Sequence, residues 1–468
     1  MADRLDALNY FVEKVSGVST NVFRLESQTG TSATASRILR FTLPSNSLLN
    51  MRSFSLNFCA GANGVAAQGG RLPAKIDSLV ERYEVSIGGV QLSAGCNQYN
   101  VLRHAKDAWY GNQLDPVLGH PDLVRTISAT NALGSGAAIL TGTLNEFYPP
   151  ANNVTQFAID KWEGFLGTCE PAIFDSGRVA DIVVAVYLAD NSVLSSAAGI
   201  ALNGSGGGVD ITNVGAAGAT YTLDNIHATI EAIGLNDAVY DSMIDNVMNG
   251  PEGALSIGFK QYISFQDTTA NSLRFSLAVQ SLDRLWVCHR VANFSVQGPP
   301  ILVQGYKIFD GTVANVAGMC GYDPGGSDNV VTNAERYCGR ATTFTEPAAV
   351  GATKQLYTFV LNSSQYPQFQ ATFEQMAVIS RNSLIGGQDA AQKKVGLNTM
   401  KTNLSVQCIR LNLPNSEFQR IQSGLDTRGI SLSAFYNMFN CASTTINLFA
   451  ECSSILRIGS NKQVEIIQ

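Results

Sequence analysis

The sequence feature that most constrains the fold is an alternation of apolar and polar residues that recurs in both halves of the chain. In residues 37–44 (RILRFTLP) and 51–58 (MRSFSLNF), Leu and Phe alternate with Arg, Thr, Ser and Asn. Because successive side chains of a strand point to opposite faces of a sheet, these segments predict strands with one buried and one polar face. Such strands are typical of antiparallel sandwiches.

Two further segments fit the same architecture. Residues 81–92 (ERYEVSIGGVQL) alternate as far as Gly88-Gly89, a dipeptide typical of a two-residue hairpin turn. The apolar run of residues 182–188 lies between Asp181 and Asp190 and predicts a strand that is buried on both faces. This run is far too short to cross a bilayer as a helix.

The strand pattern begins again after residue 250, which predicts two copies of one β-fold. Residues 272–279 (SLRFSLAV) resemble residues 51–58, and both copies follow the order strand, short turn, strand, third strand and long loop. A helix that starts near Asn236 and stops at Asn249-Gly250-Pro251 marks the boundary. A further helical stretch is predicted near residues 429–439.

Long connections interrupt both copies. Residues 95–150, 195–220 and 296–350 have weak periodicity and many turn residues. Loops of this length inside compact domains usually carry function or interfaces. The pattern therefore predicts a tandem pair of β-sandwiches with long loops.

The first residues predict a short amphipathic helix that ends at Gly17. Its apolar stripe consists of Leu5, Leu8, Phe11, Val12 and Val15. Two interpretations stay open: the helix packs on its own domain, or it contacts a neighbouring subunit or an underlying layer. Insertion into a membrane surface is disfavoured, because the acidic side chains of the segment outnumber the basic ones.

Composition excludes several classes of protein. Charged residues make up 15% of the 468 residues, against roughly 25% in an average soluble protein. With 45% hydrophobic residues the chain is too apolar for a disordered protein. The net charge of −6 lacks the positive surface of a protein that binds duplex nucleic acid. Few charges and many small polar residues favour a β-rich protein whose outer surfaces are covered by neighbours.

The search for catalytic patterns finds no phosphate-binding loop, HExxH motif or GxSxG motif. The four histidines, of which His227 and His289 are predicted to lie in strands at the surface or at an interface, have no metal-ligand spacing. Asp323 and Asp328 fit an ordinary turn better than a calcium loop. Trp109, Tyr110 and Trp162 are predicted as core or interface anchors, with glycan stacking as the alternative.

The cysteine count points to an intracellular origin. Nine cysteines, an odd number without any CxxC pair, predict reduced and mostly buried thiols. Cys320 and Cys338 flank a Gly-rich loop and form the one pair for which a disulfide is worth testing. The charged start of the chain does not resemble a secretory signal peptide.

Four segments carry a resemblance to a known family. They are RLPAKIDSLVERYEVSIGGVQLSAGCNQYNVL (71–102), FLGTCEPAIFDSGRVADIVVAVYLADNSVL (165–194), YTLDNIHATIEAIGLNDAVYDSMI (221–244) and QYISFQDTTANSLRFSLAVQSLDRLWV (261–287). In these segments the chain resembles the double jelly-roll major capsid proteins of the adenovirus-hexon lineage, and most of all those of polinton-like viruses and related algal DNA viruses. The long loops match no named relative.

The resemblance implies an all-β fold of two tandem eight-stranded jelly rolls with long inserted loops, a few short helices and the N-terminal helix. Residues 1–30 would form an arm under the shell, residues 31–250 the first jelly roll and residues 251–468 the second. Three chains would form a pseudo-hexameric homotrimer, the capsomer, and many capsomers would tile an icosahedral virion shell around a DNA genome.

The same resemblance implies the partners of the chain. They are neighbouring capsomers, penton and minor capsid proteins and, where one underlies the shell, an internal membrane. No catalytic residue, metal, cofactor or direct sequence-specific contact with nucleic acid is implied. The N-terminal stripe from Leu5 to Val15 is the predicted inter-subunit contact.

Two alternatives from other classes remain at this point. The first is a secreted glycan-binding protein of two β-sandwiches, and the second is a hydrolase on a jelly-roll scaffold. The first conflicts with the start of the chain and its odd cysteine count, and the second lacks a recognisable acid/base or metal site. An oligomer-size measurement beside a glycan array would separate the capsid and glycan-binding hypotheses.

Overall fold

The computed structural model consists mainly of antiparallel strands, with few helices. It describes residues 18–63, 70–71, 76–93, 95–110, 156–193, 195–196, 200–202, 209–211, 220–235, 254–290, 347–384, 406–412, 424–429, 434–459 and 462–467. The predicted N-terminal helix, the predicted helix before residue 250 and most of the long loops lie outside these residues.

The described part of the first half contains fourteen strands. They are β1 (Val18–Glu26), β2 (Ala33–Thr34), β3 (Ile38–Thr42), β4 (Leu48–Asn63), β5 (Gly70–Arg71), β6 (Val80–Ile87), β7 (Val90–Gln91), β8 (Gln156–Ile159), β9 (Ile173–Asp175), β10 (Ile182–Leu188), β11 (Ser195–Ser196), β12 (Ile200–Leu202), β13 (Val209–Ile211) and β14 (Thr220–Leu235). Two α-helices, α1 (Tyr99–Tyr110) and α2 (Phe165–Thr168), accompany them, with 3-10 turns at Ile76–Leu79, Ser176–Arg178 and Asn191–Val193.

The second half contains nine strands and one helix in its described part. The strands are β15 (Ala254–Ala270), β16 (Ser272–Phe275), β17 (Leu282–Arg290), β18 (Leu356–Leu361), β19 (Ser364–Thr372), β20 (Val406–Arg410), β21 (Ala434–Phe439), β22 (Thr444–Gly459) and β23 (Val464–Ile467). The helix, α3, spans Phe373–Leu384.

Each half is a two-sheet sandwich with the same strand order. In the first half the sheets are β1-β14-β4-β8 and β3-β10-β6-β7; in the second they are β15-β22-β17-β20 and β16-β21-β18-β19. When these eight strands are counted in chain order, both halves read 1-8-3-6 and 2-7-4-5. This order is that of a jelly roll, so the predicted duplication is confirmed.

The repeat has a different register from the one predicted by sequence. Residues 51–58 lie in β4, the third strand of the first half, whereas residues 272–275 form β16, the second strand of the other half. The strand equivalent to β16 is β3, and Leu39-Arg40-Phe41 of β3 matches Leu273-Arg274-Phe275 of β16. Alternating apolar and polar residues occur in several strands of this fold, including β3, β4 and β6, and therefore cannot by themselves fix the register of the repeat.

Two segments predicted from sequence contain strands in the structure. Residues 434–439, which were predicted as part of a helix, form β21 and bury Tyr436 and Met438 on one face. Residues 18–26 of the predicted arm, residues 1–30, form β1, which pairs along its whole length with β14 in the first sheet.

The strand patterns predicted in the first half are confirmed. In β3, Leu39 and Phe41 are buried and Arg40 is exposed, and β10 is buried on both faces over most of its length. The hairpin between β6 and β7 turns at Gly88 and Gly89, whose φ angles of 57° and 87° lie in the left-handed region that glycine tolerates.

Two hydrophobic cores fill the sandwiches, and each contains side chains from the other half. The first core includes Phe259 of β15 and Leu456 of β22, and the second includes Val101, Leu102 and Ala105 of α1. The halves are therefore packed against each other through apolar side chains, and α1 lies between the two cores.

Candidate assembly site at the junction of the two halves

The outer edge of β15 is covered by a segment of the first half. Gly258 exchanges two backbone hydrogen bonds with Glu170, with N···O distances of 2.8 and 3.0 Å. The backbone N–H of Lys260 donates to Thr168 Oγ1 at 2.8 Å, and the N–H of Ser264 donates to the carbonyl of Gly95 at 2.9 Å. These bonds satisfy an edge that would otherwise be open to pairing with another chain.

Apolar contacts accompany this backbone pairing. The ring of Phe259 on β15 lies edge-on to Phe165 of α2, with centroids 5.2 Å apart, and both side chains are buried. Edge-to-face pairs of this kind contribute about 0.5–1.5 kcal/mol beyond their buried area. The short α2 helix thus acts as an apolar cover for the start of the second half.

Two cations of α1 form ion pairs with carboxylates of the first half. Arg103 contacts Asp77 at 3.3 Å and Glu163 at 3.2 Å. Lys106 also pairs with Glu163, and its Nζ donates to the Tyr262 hydroxyl of β15 at 2.7 Å. Lys106 Nζ lies 4.8 Å from the centre of the Tyr262 ring, within cation–π range. The cluster therefore links the first half to the second.

A second ionic cluster lies beside the first, within the second half. The carboxylate of Glu451 on β22 accepts a hydrogen bond from Trp286 Nε1 at 3.0 Å and lies 3.3 Å from Arg284 Nη1. Lys260 of β15 pairs with Asp283, and its Nζ donates to Ser453 Oγ at 2.7 Å.

The electrostatics of Glu451 show how these charges depend on one another. Burial raises the pKa of the Glu451 carboxyl, but the positive charges of Arg284, Lys106 and Lys260 and the Trp286 hydrogen bond outweigh it and lower the pKa to about 2. Lys106 belongs to the first half. The ionised state of a second-half carboxylate is therefore stabilised in part by a first-half cation.

Trp162 anchors the core of the first half. Trp162 is buried, packs with Tyr83 and Tyr99 at centroid distances of 5.1 and 6.1 Å, and donates from Nε1 to the Phe54 carbonyl at 3.0 Å. This confirms Trp162 as a core anchor. The side chains of Trp109 and Tyr110 lie outside the described residues.

The two strand histidines are more buried than predicted. His289 is fully buried in β17 and shares a hydrogen bond of 2.7 Å with the Tyr436 hydroxyl. The prediction of a surface position was wrong for His289, because β17 is an inner strand with packed side chains on both faces. His227 on β14 is also buried, with Nδ1 2.8 Å from the Asn225 carbonyl oxygen.

The described cysteines are reduced, and five of the seven are buried. Burial raises the pKa of the thiols of Cys169 and Cys96 to about 11 and about 12, so both are protonated and unreactive at neutral pH. Cys320 and Cys338 lie outside the described residues, as do Asp323 and Asp328.

Leu5, Leu8, Phe11, Val12 and Val15 all precede β1 and lie outside the described residues. Within the part of the chain that the structure describes, no three His, Cys, Asp or Glu side chains are grouped as metal ligands. The described helices include none that has the length and apolar character to cross a bilayer.

The charged junction was missed by sequence reasoning. Asp77, Arg103, Lys106, Glu163 and Glu451 come from four separated parts of the chain, and no spacing connects them. The one available signal was α1 itself, in which the polar segment YNVLRHAKDAWY occurs within a long connection of the first predicted β-sandwich.

Solved structures with the same fold come from viral capsids. The chain is similar to the PBCV-1 virus capsid, with a TM-score of 0.56 and 12% identity over 97% of this chain and 97% of that chain. It is equally similar to PBCV-1 VP54 as fitted into a reconstruction of the virophage Sputnik, with a TM-score of 0.56 and 13% identity over 97% of each chain. The Faustovirus major capsid protein gives a TM-score of 0.49 and 10% identity over 94% of this chain and 90% of that chain.

No protein-family profile and no curated protein sequence matches the chain. Because sequence identity to the solved structures is so low, the likeness establishes the fold and not the function. Together with the repeated strand order, it confirms the predicted double jelly roll.

Proposed function

We propose that this chain is the major capsid protein of a DNA virus, a structural subunit whose copies build the shell of the virion. The observation that carries the proposal is the pair of identical jelly-roll topologies held side by side by a packed and ion-paired junction. The solved structures that share this arrangement over nearly the whole chain come from viral capsids. A fixed pair of equivalent domains suits a building block that tiles a surface.

The capsomer would be a homotrimer. Three chains with two jelly rolls each supply six similar domains, which gives a pseudo-hexameric outline suited to tiling an icosahedral shell. A trimer of this kind uses a head-to-tail interface that closes after three copies. Permanent interfaces commonly bury about 2,000–5,000 Å². The low charge content of the chain supports such burial, since interface cores are depleted in Lys, Glu and Asp.

The shell would bring the chain into contact with neighbouring capsomers and with penton and minor capsid proteins. As predicted from the sequence, the first jelly roll would end near residue 250 and the second would extend to residue 468. Residues 1–17, which precede β1, would form the arm beneath the shell. There the stripe of Leu5, Leu8, Phe11, Val12 and Val15 would contact a neighbouring subunit or, where one is present, an internal membrane.

A structural rather than enzymatic role agrees with how this chain uses its ionisable groups. Lys106 and Glu451 are buried and Glu163 is partly buried. Lys106 pairs with Glu163 and lowers the pKa of Glu451, so these charges hold elements together at the junction. The Cys96 and Cys169 thiols, whose pKa values are raised by burial, are poor nucleophiles at neutral pH.

The proposal is tested by the size and shape of the purified full-length protein. Light scattering at micromolar concentration should give the mass of three chains, and negative-stain images should show particles with a hexagonal outline. A stable monomer under these conditions contradicts the capsomer. A glycan array with a strong hit from such a monomer would favour the glycan-binding alternative instead.

A further inference from the structure

A cleft opens between the two sheets of the first half, at one end of the sandwich. One wall consists of β2 and the part of β14 that pairs with it, and the other wall consists of the start of β3 and the residues before it. The cleft has a volume of about 750 Å³, and sites for small molecules typically measure about 300–1,000 Å³. Its size therefore suits a small organic ligand.

The connection between β1 and β3 forms much of the cleft and is bound to both sheets. Its strand β2 pairs with β14. On the other side, the N–H of Ser36 donates to the carbonyl of Ala189 at 3.2 Å, and the carbonyl of Arg37 accepts from the N–H of Leu188 at 2.9 Å. The cleft is therefore formed before a ligand arrives, which lowers the entropic cost of binding.

Unusual backbone conformations occur on both sides of the cleft. Ser36 has a φ angle of 59°, in the left-handed region that is uncommon for residues other than glycine. Asn225 follows the lining residue Asp224 and has a φ angle of 52°, at a point where the pairing of β14 with β4 shifts in register. Such conformations and bulges cost free energy and occur preferentially at ligand sites.

The lining of the cleft is rich in hydroxyl groups. They belong to Thr29, Ser32, Thr34, Ser36 and Thr222. Because a hydroxyl group both donates and accepts hydrogen bonds, this set matches the hydroxyl groups of a saccharide. The half-buried side chain of Ile38 adds an apolar surface on which the C–H face of a sugar ring can pack.

One cation lies among these hydroxyl groups. Arg37 is exposed and lines the cleft. Among the residues that the structure describes, none pairs with its guanidinium, whereas the guanidinium of Arg24 is paired with Glu26. An unpaired guanidinium offers a planar set of N–H donors that binds a carboxylate through two hydrogen bonds. Asp224, on the opposite wall, adds acceptors for hydroxyl groups.

The cleft lies at the end of the sandwich from which the long connections start. Consecutive strands of the jelly roll run in opposite directions, so the connections from β1 to β3, from β7 to β8 and from β10 to β14 share one end. Residues 1–17 join β1 at the opposite end. In the proposed shell these residues lie on the inside, so the cleft faces the outside of the virion.

We propose that this cleft is a binding site for a saccharide that carries a carboxylate, such as a uronic acid unit of a glycan. The Arg37 guanidinium binds the carboxylate, and the lining hydroxyl groups and Asp224 bind the hydroxyl groups of the sugar. The binding itself goes beyond the proposed function, and only the outward orientation rests on it. A shell repeats the site on every subunit, so a weak affinity at each site adds up to strong attachment.

The test measures saccharide binding to the full-length protein by saturation-transfer NMR, with glucuronate as the probe and glucose as its uncharged match. Arg37→Ala should raise the glucuronate dissociation constant about tenfold or more, since it removes charge-assisted hydrogen bonds. Arg40→Ala is the matched control: Arg40 is exposed and unpaired among the described residues, and it does not line the cleft. This control should bind glucuronate like the wild type, and both variants should keep the wild-type circular dichroism spectrum.

A second measurement separates the two sources of such a ligand. A column of immobilised polyglucuronate should retain the wild type and Arg40→Ala but not Arg37→Ala. Retention supports the site and identifies a surface glycan as the source. Binding of free glucuronate without retention supports the site and identifies a soluble sugar acid instead.

Three outcomes overturn the inference. The first is equal affinity for glucuronate and glucose, because the guanidinium then contributes nothing. The second is an equal loss of binding in Arg37→Ala and Arg40→Ala, because the effect is then not specific to the cleft. The third is the absence of binding to both glucuronate and polyglucuronate. A wild-type trimer in light scattering leaves the proposed function intact in all three, whereas a monomer that binds glucuronate through Arg37 contradicts the capsomer and leaves the site intact.

Discussion

Lys106 of the first half donates a hydrogen bond of 2.7 Å to the Tyr262 hydroxyl of the second half, and both side chains are buried. Lys106 also neutralises Glu163 and lowers the pKa of Glu451. One amino group thus serves two ionic clusters that belong to different jelly rolls. The relation of the halves is fixed by chemistry that tolerates little displacement, because a buried charge that loses its partner is strongly destabilising.

Replacing Lys106 by Met should lower the free energy of unfolding by about 1–3 kcal/mol, because Glu163 and the Tyr262 hydroxyl each lose a partner while Glu163 keeps Arg103. Urea unfolding at neutral pH measures the change. Lys354→Met is the control, because Lys354 is exposed and surface substitutions usually stay within about 0.5 kcal/mol. Equal effects of the two substitutions would show that the junction cluster does not contribute to stability.

Acid should weaken the junction through Glu451. Its folded-state pKa of about 2 lies below its ordinary value of 4.5, so ionised Glu451 contributes stability that is present above pH 4.5 and is lost as the pH falls toward 2. Glu451→Gln should be less stable than the wild type at pH 7, and this difference should shrink between pH 4.5 and 2. Urea unfolding of both proteins across this range measures it. A constant difference would contradict the lowered pKa.

The cover over β15 should be sensitive to a single added methyl group at Gly167. A Cβ at this position would lie 1.7 Å from the Trp162 carbonyl oxygen, which is backbone and cannot rotate away. Gly167→Ala should therefore lower the free energy of unfolding by about 1–3 kcal/mol. Gly429→Ala is the control, because a Cβ there meets no atom within 4 Å. Thermal unfolding followed by circular dichroism should show a lower midpoint for Gly167→Ala alone.

Removing the Phe259 ring should loosen the two halves from each other. Phe259→Ala leaves a cavity under Phe165, and such truncations cost about 3–5 kcal/mol. Amide exchange should become faster at Gly258 and Glu170, which pair across the junction. Phe369→Ala removes the same ring from an exposed site and should leave these amides unchanged. Protected junction amides in Phe259→Ala would mean that the backbone bonds alone hold the halves together.

Deleting residues 1–17 should leave capsomers intact and impair assembly of the shell. The apolar stripe from Leu5 to Val15 precedes the first strand, so the jelly rolls retain all of their described strands without it. Light scattering measures the trimer, and electron microscopy of assembly reactions counts the shells. Loss of the trimer itself would assign these residues a role inside the capsomer.

The alternation of side chains predicted the sandwiches well, because burial on one face of a strand leaves a local trace. Leu39 and Phe41 are buried where the alternation placed them, and the hairpin at Gly88-Gly89 forms. The existence of the repeat was also visible. The register of the repeat could not be predicted, because the match between Leu39-Arg40-Phe41 and Leu273-Arg274-Phe275 is no stronger than similar matches between other strands.

The junction could not be predicted from the sequence, because its components interact over long chain separations. Charged residues such as Lys106 and Glu163 are usually exposed, and only the three-dimensional meeting of α1 with β15 explains their burial.

The position of α1 has a consequence for folding during synthesis on the ribosome. A ribosome completes residues 99–110 long before it reaches the strands that form the second core. Until then Val101, Leu102 and Ala105 lack most of their apolar partners, since the other buried members of their core come from the second half. The nascent first domain thus exposes an aggregation-prone apolar face of α1 beside charged residues. Such transient surface is a characteristic target of chaperones, and a gene truncated at the domain boundary should yield an aggregating product.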